Sequence, residues 1–397
     1  MAGGIPTEFP GTGTMGFKQV LKEILPGPVI GLLQAALAPL RRLQKQVNRW
    51  LILMSRSPGR GEIRVSFGHS RMPGSQAIVS GGIVKFMALQ QIFPHAPRRF
   101  NILYLGSSSL PEDLPQVLEM ARRKQARIVL NQNGVGYPAW AASDWKTVNA
   151  PMKLVLHEAA YVFYQSRFCK MSADRFLGER EGAWEILYNP VDTGYFRPAP
   201  AFPDGGLVLL NAGTATERYR FESALRTLGE LVRRGVDARL VVAGRLAWND
   251  DSAGLEAEVR DLVEQLGIGH RLELLPPYSR AEAQAIFQQA RILLHTQAND
   301  SCPMVVLEAM SCGLPVVYTK SGGVPELVGE EAGIGVPDQT NWDQILPPDP
   351  VKLADAVEQV AQEMRHYSQA ARERAVERFD LQPWLRRHRE VFSSLVP

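Results

Sequence analysis

Apolar positions along this chain return with two alternating periods. Short apolar runs, the pattern of buried strands, alternate with stretches where apolar residues recur every three or four positions, as one helix face requires. The runs predict strands at Ile63–Phe67, Asn101–Leu105, Arg127–Leu130, Tyr161–Gln165 and Glu185–Tyr188. Between the first two, a Gly/Ser-rich loop from Gly68 to Gly82 leads into a helix over Ile83–Gln91. Residues 189–204 are rich in Pro and Gly, carry neither period, and read as a linker. The pattern then restarts. Strands are expected at Leu207–Asn211, Ala238–Ala243, Arg271–Leu274, Ile292–His295 and Val316–Tyr318. Helices are expected at Phe221–Arg234, Gly254–Leu266, Arg280–Gln289, Met304–Cys312, Val351–Phe379 and Gln382–Leu395. Strands alternating with helices imply parallel, doubly wound sheets, so the fold class is α/β with two Rossmann-like halves. The expected division is an N-terminal extension at 1–60, a first domain at 61–198, a second at 199–379 and a C-terminal helix within 380–397.

The extension has its own character. Residues 1–14 are Gly/Pro/Thr-rich and read as disordered. In 16–56, Leu40, Leu43, Val47, Trp50, Leu51 and Met54 recur at helical spacing, with Arg41, Arg42, Lys45 and Arg49 between them. Such a segment either packs its apolar stripe on the body of the protein or lies on an anionic membrane surface.

Composition narrows the function classes. The chain has 397 residues, 45% hydrophobic and 21% charged, which suits a soluble globular protein of at least two domains. A net charge of +3 is too small to argue for nucleic acid. Its distribution is uneven: residues 1–60 hold the basic excess, with only Glu8 and Glu23 opposing it, so the remainder is mildly acidic. Pro and Gly interrupt the longest apolar run, Ile24 to Leu40, which falls short of the ~20 residues of a spanning helix. Three cysteines without metal spacing fit a reducing, cytoplasmic setting, with the basic extension offering membrane association. Asp250 and Asp251 stand adjacent in a loop and read as solvated; no Asp-x-Asp, P-loop, zinc or Gly-x-Ser-x-Gly pattern occurs.

The chemistry concentrates between Asn299 and Val317. Ser301 or Cys302 can cap a helix there, with Pro303 at its first position, where a missing N–H costs nothing. The free amides of Met304, Val305 and Val306 then form an anion site with the helix dipole. Asp300 precedes that helix and Glu308 lies about one and a half turns into it, so both reach one crevice. Glu308 is flanked by Val305, Val306, Leu307, Ala309 and Met310. A carboxylate in such company needs donors, and vicinal ribose hydroxyls would supply them.

Asp300 and Glu308, with seven residues between them, followed by Ala309-Met310-Ser311-Cys312-Gly313-Leu314-Pro315-Val316-Val317, resemble the acid-x7-Glu signature of retaining glycosyltransferases of family 4, the group 1 domain with the GT-B fold. Ser321-Gly322-Gly323-Val324-Pro325-Glu326-Leu327-Val328 is similar to the block that follows. The resemblance is strong from Leu207 to Phe379 and weaker before it, where Tyr161–Ser166 and Asn189-Pro190-Val191-Asp192 carry it. It implies two domains facing a cleft, with the donor on the second and the acceptor on the first, and a last helix that crosses back to the first domain. Glu308 would bind the donor ribose and Asp300, shorter than the usual Glu, the transferred sugar.

The family places an Arg directly after a Gly at the end of the first strand of the second domain, and a Lys a few residues on. Here Thr214 follows Gly213, and Arg218 or Arg220 would neutralise the leaving diphosphate from the loop. Gly322 and Gly323 would offer backbone contact to the donor, Glu326 would cap the helix that follows them, and Tyr278 stands where the base is seated. In the first domain Gly81 and Gly82 match the Gly-loop facing phosphate or acceptor. A His usual after the third strand is absent; Gln132 and Asn133 stand there, and His69 is the alternative polar residue on the acceptor side. His157 and His295 read as structural, His295 with a partner in the core. The resemblance implies hexosyl transfer from a nucleotide-diphosphate sugar, with retention and without metal or other cofactor, to a glycan, lipid or small metabolite. The alternative is a nucleotide-sugar-binding subunit without turnover of its own.

Overall fold

The computed structural model describes residues 61–73, 81–141, 144–201, 205–337 and 340–396, with positions 47, 50–52, 54, 55, 58 and 59. The expected disordered start, most of segment 16–56 and part of the first Gly/Ser-rich loop lie outside these residues. Among the described residues no helix is long and apolar enough to cross a membrane.

The first sheet holds β1 (Val65–Ser66), β2 (Ile102–Gly106), β3 (Arg127–Gln132), β4 (Tyr161–Tyr164) and β5 (Ala183–Ile186), parallel and in chain order. Successive side chains point to opposite faces. Leu103, Leu105, Ile128, Leu130 and Val162 therefore face one core, which α2 (Leu114–Arg123), α4 (Trp145–Glu158) and α5 (Arg167–Leu177) cover. Ile102, Tyr104, Val129 and Phe163 face the other, covered by Phe86 and Leu89 of α1 (Gly81–Leu89). A single turn, α3 (Pro138–Ala141), stands between β3 and α4.

The second sheet is built from β6 (Leu207–Ala212), β7 (Ala238–Ala243), β8 (Leu272–Leu275), β9 (Ile292–His295), β10 (Val316–Lys320) and β11 (Gly333–Pro337). All pairs are parallel, in the order β11-β10-β9-β6-β7-β8. Its helices are α6 (Arg218–Arg233), α7 (Ser252–Leu266), α8 (Arg280–Gln288), α9 (Met304–Ser311), α10 (Val324–Val328), α11 (Pro350–Gln362) and α12 (Met364–Phe379). Covered on both faces, β6 is almost continuously buried, as parallel strands are. The sheet grows from β6 towards β7 and β8, then resumes on the other side of β6 with β9. Adjacent loops leaving β6 and β9 thus part to opposite sides, and a crevice opens at their carboxyl ends.

The last helix, α13 (Leu381–Leu395), returns to the first domain. Leu381, Trp384, Leu385, Val391 and Phe392 fill the core against Phe67, Phe86 and Tyr104. Beside it the linker pairs with the α12–α13 junction: Val191 N–H donates to Phe379 O (2.8 Å) and Leu381 N–H to Val191 O (3.0 Å). The chain therefore passes between domains twice, side by side.

Most predicted elements are present, with shifted ends. The single helix expected over Val351–Phe379 is two, broken at Glu363 (φ −114°, ψ 32°). β11 went unforeseen because its Gly-Ile-Gly-Val-Pro has little apolar run; a Cβ on Gly333 would stand 2.0 Å from Val316 O, so the close pairing needs glycine. Gly81 and Gly82 lie within helix α1, not in a loop before it. Helix α6 begins at Arg218, which places Arg218 and Arg220 on a helix.

His388 of α13 is wholly buried. Its Nδ1 lies 2.9 Å from Trp384 O and its Nε2 3.0 Å from the Tyr104 hydroxyl. A carbonyl only accepts, so Nδ1 carries the proton and Tyr104 donates to Nε2. Burial pushes the imidazole down to about 3. A folded value below the unfolded one means that the neutral ring's stabilisation is full above about 6.5 and is lost as pH falls towards 3. Urea titrations at pH 7, 5.5 and 4.5 should show a fall containing up to ~1.4 kcal/mol per pH unit from this one proton. His388→Gln should flatten the dependence by that amount; an unchanged slope would refute the assignment.

Candidate active site

The crevice at the β6/β9 switch is made by backbone packing that admits only small residues. After β9, Asn299 takes a left-handed conformation (φ 54°), which Asn tolerates. Its N–H donates to Ser321 Oγ (3.0 Å) and its Nδ2 to Asn341 O (3.0 Å). Gly322 (φ +69°) presses on this loop so closely that a Cβ would lie 2.3 Å from Asp300 O. A Cβ on Gly323 would lie 2.0 Å from Ser301 O, and Gly323 N–H donates to Asp300 O (2.7 Å). The two glycines thus hold the backbone of Asp300 and Ser301.

The same loop is the seam with the first domain. Ser301 Oγ donates to Asn133 Oδ1 (2.8 Å), Ser166 Oγ to Ser301 O (2.8 Å) and Asn189 Nδ2 to Cys302 O (2.7 Å). Across from it Glu326 accepts from the amides of Arg167 (2.8 Å) and Phe168 (2.9 Å), and from the Tyr188 hydroxyl (3.0 Å). Glu326 therefore caps a helix, but α5 of the other domain instead of its own α10. Trp342 follows β11 and enters the first domain, stacked on Phe168 (centroids 5.3 Å) beside Tyr137 (5.0 Å) and Phe176 (5.2 Å). Its carbonyl accepts from Ala139 N–H (2.8 Å).

Asp300 Oδ2 lies 3.2 Å from His295 Nε2, at an angle that makes no hydrogen bond. His295 is buried at the end of β9 and faces the crevice acid, where a partner in the core was expected. Helix α9 starts at Met304 with Pro303 as its N-cap (φ −67°, ψ 126°), in place of the expected Ser301 or Cys302. The amides of Met304, Val305 and Val306 lie in the first turn and have no helical acceptor. Glu308 is partly buried and its carboxyl makes no hydrogen bond to the described residues. Burial pushes its carboxyl up to about 7, with Arg280 opposing. Tyr278 is close enough to Glu308 that its phenol, already raised by burial, is raised further.

The two candidate cations part company. Arg218 is half exposed and turns outward to Glu222 (3.5 Å) and Glu258 (3.4 Å). Arg220 is buried, with Nη1 on Thr214 O (2.6 Å) and Nε unpaired. Thr296 Oγ1 donates to Arg220 O (2.7 Å) and Ala298 N–H to the Tyr219 hydroxyl (3.0 Å), which pins the start of α6 to the loop after β9. Thr214 is exposed, and Gly213 (φ +102°) lets Gly244 approach until a Cβ there would be 2.3 Å from Gly213 O.

In the first domain, Asn133 reaches the Asp300 loop, as described, and its N–H donates to Ser107 Oγ (2.8 Å). Gln132 is buried, donates to Asn133 O (2.8 Å) and keeps Oε1 unpaired. His69 is bound to Ser109 O (3.1 Å) inside the first domain and burial lowers its pKa. Gly82 abuts the same segment: a Cβ would lie 2.1 Å from Ser109 Oγ. His157 is structural, 3.1 Å from Leu177 O. Asp251 is not merely solvated; it caps α7 through Ala253 N–H (3.1 Å). Sequence reading missed Glu217, Tyr137 and Trp342, which gather here only through docking of distant segments. Among the described residues no group of three or more His, Cys, Asp or Glu could hold a metal ion.

Residues 193–374 match the family model "Glycosyl transferases group 1". The second domain is a group 1 glycosyl transferase domain, and the whole fold is GT-B. A D-inositol 3-phosphate glycosyltransferase of Saccharomonospora viridis is 33% identical over 166 residues, covering 40% of this chain and 38% of that protein. An uncharacterized glycosyltransferase of Methanocaldococcus jannaschii is 25% identical over 224 residues, 52% and 55% of the two chains. The chain thus spans about half or less of the length of these relatives. Among solved structures, Anabaena Alr3699/HepE in complex with UDP-glucose superposes with a TM-score of 0.60 at 18% identity, covering 79% and 82% of the two chains.

A Glu308 value above that of an unfolded carboxyl makes the ionised form a burden on the fold. The burden grows as pH rises from 4.5 to about 7. Glu308→Gln should therefore stabilise the ligand-free protein at pH 8 by on the order of 1–3 kcal/mol, and leave it nearly unchanged at pH 4.5. Denaturant titration at both values checks this; equal effects at both would contradict it.

Proposed function

We propose that the protein is a retaining, metal-independent glycosyltransferase that moves a hexosyl group from a nucleotide-diphosphate sugar to an acceptor on the first domain. The observation that carries the reading is the convergence at one strand switch of Asp300, a carboxyl held up by burial at Glu308, the buried Arg220 and the free amides at the start of α9. UDP and UDP-glucose in the HepE structures support a nucleotide-sugar donor.

Glu308 accepts the ribose hydroxyls, which would supply the donors it lacks. Arg220 and the amides of Met304, Val305 and Val306 bear the charge of the diphosphate, a low-dielectric arrangement in which such donors act strongly. Asp300 holds the transferred sugar. The acceptor oxygen enters from the side of Gln132 and Asn133. The bond from the anomeric carbon to phosphate breaks and the bond to the acceptor oxygen forms on the same face. The acceptor proton passes to the departing phosphate oxygen, so no protein base is required. Arg218, paired outward, has no part in this reading. Exposed Val47, Trp50 and Met54 support a peripheral membrane contact near a lipid-borne acceptor.

A second reading has one observation in its favour: exposed Thr214 stands where the family carries a cation. A subunit that binds the donor without turnover needs no strong leaving-group clamp. Measurable donor binding with no nucleoside diphosphate released under any acceptor would select it.

The main experiment is a thermal-shift screen of nucleotide sugars against wild type and Glu308→Ala. A cognate donor should stabilise wild type and not the variant; equal stabilisation would remove Glu308 from the site. With that donor, Arg220→Met should lower kcat/KM by about 10²–10³, while Arg218→Met should change it less than about threefold. The reverse order would reassign the clamp.

A further inference from the structure

Four buried side-chain atoms around Asp300 make no hydrogen bond within the protein: Glu217 Oε2, Arg220 Nε, Asn299 Oδ1 and His295 Nε2, the last 3.2 Å from Asp300 Oδ2. Native interiors leave few such atoms, because each costs about 1–3 kcal/mol. Four beside one carboxylate mark a site that a polar ligand completes. They come from the start of α6 and from the end of β9 with its following loop, which Thr296, Ala298 and Tyr219 tie together.

Glu217 is the least expected member. It stands at the N-cap of α6 in extended conformation (φ −122°, ψ 131°), where an acid ordinarily accepts from its own helix amides. Its side chain makes no such bond. The carboxylate instead lies within electrostatic range of Asp300 and Arg220, and of Tyr137 from the first domain. Two acids sharing one arginine do not suit a second phosphate. They suit hydroxyl groups, each of which donates to a carboxylate oxygen.

We propose that Glu217 is a specificity-determining residue that, with Asp300, grips two hydroxyls of a neutral transferred sugar. This rests on the donor-site reading above and deepens it. Arg220, within electrostatic range of Glu217, would bear the diphosphate and ease that acid's charge beside it. A sugar with its own carboxylate would meet two like charges, so uronosyl donors are excluded.

The test is calorimetric titration of the full chain with UDP, UDP-glucose, UDP-galactose and UDP-glucuronate, with GDP and GDP-mannose in parallel. In wild type a neutral nucleotide sugar should bind about tenfold or more tighter than its parent nucleotide, and UDP-glucuronate no tighter than UDP. Glu217→Gln, isosteric and checked for an unchanged melting temperature, should abolish the sugar's gain while nucleotide affinity stays within about twofold. A gain retained in Glu217→Gln, a parallel loss for nucleotide and nucleotide sugar, or a wild type that takes UDP-glucuronate as tightly as UDP-glucose overturns the assignment. Those outcomes leave the donor-site reading intact; a wild type that binds neither UDP nor GDP sinks both. If Glu217→Gln melts lower, Glu217→Asp and the wild-type glucuronate comparison decide.

Discussion

The structure depends on one steric constraint, the contact of Gly322 and Gly323 with the backbone of Asn299, Asp300 and Ser301. Nothing larger than hydrogen fits at either glycine without driving carbon to within 2.3 Å of a carbonyl oxygen. Protein interiors do not yield by such amounts. Because the contact is backbone on backbone, it sets Asp300 without relying on rotamers. It also presents the carbonyls of Ser301 and Cys302 to the first domain, where Ser166 and Asn189 hold them. Active-site position and domain docking are therefore consequences of a single close approach. The backbone contact of the glycine pair is made with the protein itself, at Asn299, Asp300 and Ser301.

The charge layout follows the same economy. One buried arginine serves a crevice containing Asp300, Glu217 and, farther along α9, Glu308. The second arginine of the segment, one helical step away, is neutralised on the outside by Glu222 and Glu258. Helical spacing explains the division: residues two apart project to different sides of α6. A crevice so poor in cations relies on oriented amides for much of its attraction to anions.

Local pattern and chain chemistry were legible from the residues. The strands at Ala238–Ala243 and Ile292–His295 end where the apolar runs end, and Glu308 stands on the helix that follows the Asp300 loop, as its place in the sequence implied. What lay beyond reach depended on packing between segments far apart. Glu326 was readable as a helix cap, but which helix it caps is decided by docking of the two domains. Arg218 and Arg220 looked equivalent until the helix start was known. Trp342 follows a Gly-rich strand with no chemical motif, and only the aromatic pocket of Tyr137, Phe168 and Phe176 gives it meaning. Glu217 belongs to no motif, and only a carboxylate that leaves its own helix uncapped draws notice to it.

The returning helix α13 means that the first domain is not a contiguous stretch of chain. Its core is closed by Trp384, Leu385 and Phe392, which follow the whole second domain in the chain. A fragment ending in the linker would leave the apolar faces of Phe67, Phe86 and Tyr104 open to water. On the ribosome the first domain must therefore wait for the second before it can complete its interior. Gene fusions that exchange halves at the linker would separate that helix from the surface it was selected to cover, unless the last segment travels with the first domain.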